Sequence, residues 1–178
     1  MVDMFVLTSS QHKVDEYTAL GMSAKLGHST REVLGTMDEV IMYKILSSDA
    51  HTLVEDTVLK VDGEIIVDLK FRAKGMKACA DASWITSLGY HDDVNLYVYR
   101  GIINGRIEVP PDVCISSFEP YFVPQGTDLT LFELRRMGAK SRFSARRIAL
   151  DAYRNSAPTF VRRILEIPEW EGEYQGEF

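Results

Sequence analysis

The alternation of apolar and polar positions divides the chain into short elements. Met4 to Thr8 is a compact apolar run that reads as a buried strand, and Ser9 and Ser10 follow as turn or cap residues. Val14, Tyr17 and Leu20 then recur at helical spacing. This strand, polar turn and helix point helix N-terminal N–H groups at the space beyond the strand, a natural phosphate site. Gly21 to Ser29 is turn-rich, with room for a short strand, and Asp38 to Leu46 reads as a second helix. Thr52 to Val61 and Glu64 to Leu69 read as strands, and a short helix or irregular piece is expected near Lys74 to Cys79.

Farther on, Ala82 to Leu88 and Val94 to Arg100 read as strands joined through Gly89, His91, Asp92 and Asp93. Asn104–Gly105 carries a strong hairpin signal before a strand at Arg106 to Val109, which Pro110–Pro111 stops. A short strand is predicted at Tyr121 to Val123, helices at Thr130 to Arg136 and Ser141 to Arg154, and a helical turn or two at Pro158 to Leu165. The order predicts an α/β fold with a mixed sheet. We divide the chain into one domain over residues 1–165 and an acidic, glycine-broken tail over 166–178, mobile or partner-bound.

Composition narrows the classes. The 178 residues suit one domain, and 46% hydrophobic with 26% charged residues is ordinary globular composition. No apolar run reaches the roughly 20 residues of a membrane span, and the N-terminus lacks a secretory pattern, so a cytoplasmic protein is expected. Cys79 and Cys114 are too few for a disulfide framework or a four-cysteine zinc site. A net charge of -6 argues against nucleic acid as a partner. Yet Arg135, Arg136, Lys140, Arg142, Arg146 and Arg147 form a basic block with no acid among them, readable as a polyanion site or as a solvated helix face.

The acidic pair Glu55–Asp56 interrupts an apolar strand. Strand neighbours point to opposite faces, so one carboxylate can face a cleft while the other does not. Such charges must be paired, hydrogen-bonded or metal-bound. A structural salt bridge and a Mg²⁺ site are the two readings. Thr8, Ser10 and Lys13 make a hydroxyl–hydroxyl–ammonium set at a helix start, suited to a triphosphate without being a P-loop. His12, His28, His51 and His91 are scattered, with no metal-ligand spacing.

The segment from Thr8 to Tyr17, with Lys13 and Glu16, resembles the T-G-N-x-x-K-x-x-E-[FY] opening of the inosine triphosphate pyrophosphatase family, which hydrolyses non-standard purine nucleoside triphosphates. Glu32 to Gly35 with Asp38–Glu39 and Lys44 resembles its E-x-x-G…E-I…K segment, and Glu55–Asp56–Thr57 with Leu59 its E-D-[ST]-G-L motif. Arg100 to Pro110 resembles the family's glycine hairpin. Glu119–Pro120 through Leu134 resembles D-P-x-F-x-P-x-G-x-x-x-T-x-x-E-[LM], and Lys140 to Arg146 resembles K-N-x-x-S-H-R.

The resemblance implies a two-lobed fold with an active-site cleft, a homodimer, a nucleoside triphosphate substrate and Mg²⁺. It implies that Thr8, Ser10, Lys13 and Lys44 meet the phosphates and that Glu32 and Asp56 hold the metal. Asp56, Lys13 and Lys44 would be catalytic, with Asp56 activating water. Phe118, Glu119, Lys140, Ser144 and Arg146 would hold the base. The departures cluster at the base: Ser116 replaces an aromatic residue, Glu119 an aspartate and Ala145 a histidine. At the phosphate end Ser10 replaces an asparagine, the glycine-rich loop after the acidic motif is missing, and Asp62 to Lys77 is short. The expected function is Mg²⁺-dependent hydrolysis of a purine, guanine-type or modified nucleoside triphosphate to the monophosphate and pyrophosphate. The alternative is a non-catalytic nucleotide-binding module.

Overall fold

The computed structural model describes residues 4–67, 79–108 and 118–177. The chain begins β1 (Val6–Thr8), α1 (Gln11–Ala19), β2 (Ala24–Leu26), α2 (Met37–Leu46). There follow β3 (Val54–Val61), β4 (Glu64–Ile66), β5 (Asp81–His91), β6 (Asn95–Ile107) and β7 (Phe122–Pro124). It continues with α3 (Leu131–Arg136), a 3-10 turn at Lys140–Phe143, α4 (Ala145–Arg154), β8 (Phe160–Arg163) and a last 3-10 turn at Ile164–Glu166.

Side chains close the helix starts as the sequence pattern requires. Ser10 and Ser144 cap α1 and α4, while Thr36 with Glu39 and Thr130 with Glu133 form capping boxes on α2 and α3. The main sheet runs β4-β3-β5-β6-β7, all antiparallel, with β8 added to the far end of β6. β1 and β2 pair in parallel, and Leu7 N–H donates to the Leu53 carbonyl at 2.8 Å, tying β1 to the chain just before β3. The result is the expected mixed α/β fold with helices flanking a sheet.

Both faces of the sheet are covered. Ile41 and Ile45 of α2 pack on Val54, Leu96 and Val98. On the other face, Ala149 and Leu150 of α4 and Tyr17 of α1 pack on Leu88. A third cluster around Trp84, Phe118, Phe122 and Leu131 closes the far end.

Several sequence expectations change. Asn104–Gly105 makes no turn: both residues lie inside β6. Gly105 is there for a close approach, since a Cβ would stand 2.2 Å from the Val123 carbonyl oxygen of β7. The connection read through Gly89, His91, Asp92 and Asp93 does join two strands, β5 and β6, as a hairpin, with Asp92 Oδ1 accepting from the Val94 and Asn95 amides. Pro158 to Leu165 holds strand β8 and a 3-10 turn instead of α-helix. The exposed edge of β6 supplies partners that a short local helix lacks, with Thr159 N–H donating to the Val98 carbonyl at 2.7 Å. The helix expected from Ser141 begins at Ala145, after the 3-10 turn. The piece near Lys74, Cys114, Pro110–Pro111 and Ser116 lies outside the described residues.

Candidate active site

A cleft of about 460 Å³ opens beyond the C-terminal end of β1. The start of α1, the Ser29–Glu32 segment, α2, β3, Phe118–Glu119 and Arg135 line it. Two different electrostatic arrangements meet there, and the pleat of β3 separates them.

Asp56 faces the α2 side. The residue is 7% exposed, and its Oδ2 has no hydrogen-bond partner among the described residues. Lys44 Nζ stands 3.9 Å from Asp56 Oδ1 and 2.6 Å from Glu32 Oε1. Burial pushes the Asp56 carboxyl up to about 6; Lys44 opposes that rise and Glu32 adds to it. Burial alone would pull the Lys44 ammonium down, but the carboxylates of Asp56 and Glu32 outweigh it and hold the group above its ordinary value. Two carboxylates flank Lys44, and the buried Asp56 oxygen without a partner among the described residues suits a further cation.

Glu55, one residue away, faces α1 and α4. Lys13 pairs with its Oε1, while Arg146 Nε and the Tyr17 hydroxyl donate to Oε2 at 2.9 and 3.0 Å. Burial opposes ionisation, yet Arg146 and Lys13 hold this carboxyl far below the usual range. Glu16 takes Arg146 Nη1 at 2.9 Å, Lys140 Nζ at 3.0 Å and the Ser144 hydroxyl at 2.6 Å. Glu119 pairs with Lys140, with His12 Nε2 at 2.7 Å and with Arg135 Nε at 3.5 Å. Both Arg146 and Lys140 lie over the Trp84 ring, at 5.3 and 5.5 Å.

No protein-family model and no curated protein matches this sequence. Solved structures do match. The chain has the fold of the Staphylococcus aureus Ham1 protein. The two superpose with a TM-score of 0.55 over 86% of this chain and 97% of that one, at 16% identity.

Within this fold the sequence-selected residues gather. Thr8, Ser10, Lys13, Glu32, Lys44, Asp56, Phe118, Glu119 and Arg146 all line the cleft. Lys140 and Ser144 sit behind its wall, 7% and 2% exposed. Ser10 Oγ accepts from the Lys13 amide at 3.4 Å and Thr8 Oγ1 from the Ser10 amide at 3.2 Å, which fixes the turn at the helix start. The basic block divides: Lys140 and Arg146 are buried in ion pairs, Arg135 reaches the cleft, and Arg136, Arg142 and Arg147 are exposed.

Sequence reasoning gave no site role to Glu16, His12 or Trp84; it read Glu55 only as half of an acidic pair, for which a structural salt bridge was one reading, and Arg135 only as part of the basic block. The spacing Lys13, Glu16, Tyr17 was a usable signal, because residues three and four apart share a helix face. Nothing local marks His12 and Arg135, which meet only through tertiary contact, Arg135 Nη1 lying 3.0 Å from His12 Nδ1.

No three His, Cys, Asp or Glu side chains cluster as a cage among the described residues. Asp56 and Glu32 nevertheless fit Mg²⁺, which takes one or two carboxylates and completes its shell with water and substrate phosphates.

Proposed function

We propose that this chain is a Mg²⁺-dependent nucleoside triphosphate pyrophosphatase, cleaving its substrate to the monophosphate and pyrophosphate. The observation that carries the reading is Asp56: a buried carboxylate with one oxygen unpartnered among the described residues, beside Lys44 and Glu32, in a cleft that opens at a helix start. The motif resemblance to the inosine triphosphate pyrophosphatase family and the Ham1 fold support it.

Lys13, Lys44 and the Thr8 and Ser10 hydroxyls bind the phosphates, with the α1 N-terminus adding its own positive end. Asp56 and Glu32 would hold Mg²⁺, which when bound supplies charge against the triphosphate. Asp56 orients a water against the α-phosphorus and takes its proton. The new P–O bond forms as the bond from the α-phosphorus to the bridging oxygen breaks, and pyrophosphate leaves with the electron pair. Positioning and charge neutralisation carry such a reaction.

At the other end of the cleft, Phe118 offers an aromatic face and Glu119 a carboxylate. Glu119 accepts from N1–H and a 2-amino group, which selects a guanine-type or modified purine. Arg146, Lys140 and Ser144 hold that wall through Glu55 and Glu16. By the same resemblance we assign a homodimer.

Pyrophosphate release with Mg²⁺ across ITP, XTP, the common NTPs and dNTPs and modified-base dNTPs tests the reading, with Asp56→Asn as control. Release that the control loses is expected. Nucleotide binding with no release from any substrate would favour the non-catalytic module. If dGTP and dITP are both turned over no faster than dTTP and dCTP, the guanine-type assignment is wrong.

A further inference from the structure

We infer that the C-terminal tail is a positioning strap for the metal end of the cleft, built onto the segment that carries Glu32. The inference rests on the metal role proposed above for Glu32. Leu34 N–H donates to the Glu173 carbonyl at 2.9 Å, and Gln175 N–H donates to the Glu32 carbonyl at 2.8 Å. Val33 and Tyr174 form an antiparallel bridge between these bonds. The Gln175 side-chain amide donates to the Val33 carbonyl at 3.1 Å, and Gln175 itself lines the cleft. The tail thus pairs with the backbone beside Glu32 through a single antiparallel bridge.

Two further anchors hold it. Trp170 packs on Tyr43 of α2 with ring centroids 5.2 Å apart, and Tyr43 donates to the Pro168 carbonyl at 2.6 Å. Gly35 leaves room for that indole, since a Cβ there would lie 2.9 Å from the Trp170 ring. Arg31 grips Glu177 through two hydrogen bonds of 2.8 and 2.6 Å and lies over the Tyr174 ring at 3.6 Å. The segment before α2 belongs to no strand or helix of its own. Among the described residues, the tail bonds and the Glu32–Lys44 pair hold its backbone against the cleft. Gln175, Trp170 and Arg31 act through Glu32, as positioning residues.

The test is Mn²⁺ binding to the nucleotide-free protein, followed by water-proton relaxation. It compares the full chain, a chain ending at Ile167, and Arg31→Ala. Support around metal ligands is worth about 10–100-fold in affinity. The shortened chain should therefore bind Mn²⁺ at least about tenfold more weakly. A synthetic peptide of residues 168–178 should restore it. Arg31→Ala, which removes an exposed pair, should weaken binding by at most about fivefold. Equal affinity in the full and shortened chains, or no Mn²⁺ binding by the full chain, overturns the inference. Should the shortened chain fail to fold, Trp170→Ala and Arg31→Ala carry the test, and unchanged affinity in both overturns it. Pyrophosphate release by the full chain reads the hydrolase proposal separately. Tail-dependent Mn²⁺ binding without release would keep the strap and reject the hydrolase.

Discussion

The two ends of the cleft both hold buried carboxylates, and they treat them in opposite ways. At the Trp84 end, Glu16, Glu55 and Glu119 meet Arg146, Lys140, Lys13 and Arg135, with Ser144, Tyr17 and His12 adding hydrogen bonds. Burial is offset there by fixed partners, and Glu55 and Glu119 are held below their ordinary range. At the α2 end, Asp56 and Glu32 share Lys44, and one Asp56 oxygen has no partner among the described residues. There burial wins, and the Asp56 carboxyl is held up near 6. A matched network is chiefly architecture, although its Lys13 and Glu119 also line the cleft. At the α2 end the Asp56 oxygen without a described partner can meet a cation, and the raised carboxyl can exchange a proton, both of which a hydrolytic site uses.

The strongest attack on this contrast is Asp56→Asn. Pyrophosphate release should fall about 10³-fold, within the range of general-base contributions. Stability should move the other way. A carboxyl whose folded pKa is raised costs nothing while both states are protonated. As pH rises past the unfolded value of 3.8 the unfolded chain ionises first, so stability falls until about pH 6 and stays lower above it. The deficit is of order 3 kcal/mol. Metal-free Asp56→Asn should therefore equal or exceed the parent in urea midpoint at pH 8, and the gap should close below pH 4. An Asn variant markedly less stable at pH 8 would show that Asp56 belongs with the matched network.

Glu55→Gln should do the reverse, leaving Arg146 and Lys13 without their shared carboxylate. Breaking a buried pair costs about 3–5 kcal/mol, readable as a lower denaturation midpoint. Glu119→Gln sits between the two behaviours. It should change the rate ratio of dGTP to dATP by about tenfold, the worth of a hydrogen bond to a charged group. An unchanged ratio would make Glu119 a wall residue only. Smallest is Thr130→Ala in the α3 capping box, expected to cost about 1 kcal/mol of stability and leave the substrate preference intact.

Much of the fold was readable along the chain because it rests on local rules. Ser10 and Thr130 stand at helix starts read from the sequence, since a hydroxyl must meet an orphan amide, while Thr36 and Ser144 cap helices that the pattern began at Asp38 and Ser141. Adjacent Glu55 and Asp56 announce two faces of one strand, and the structure sends them to opposite sides of the sheet. The misreadings fell where a distant partner outbids local preference. Gly105 serves the backbone of β7, and β8 takes the edge of β6.

The residue types, their capping and their alternation are local quantities, and so the sequence by itself determined most of the elements and the Thr8, Ser10 and Lys13 set at the start of α1. It could not decide which carboxylate would be satisfied. That depends on whether a cation 91 positions away in the chain, as Arg146 is from Glu55, arrives with the right geometry. Nor could it place the tail beside Glu32, since the bonds that bridge them there run largely between main chains, and the side-chain anchors Gln175, Arg31 and Tyr43 find partners 125 or more positions away. Charge matching in a buried site is a property of the packed whole, and only the tertiary structure settled it.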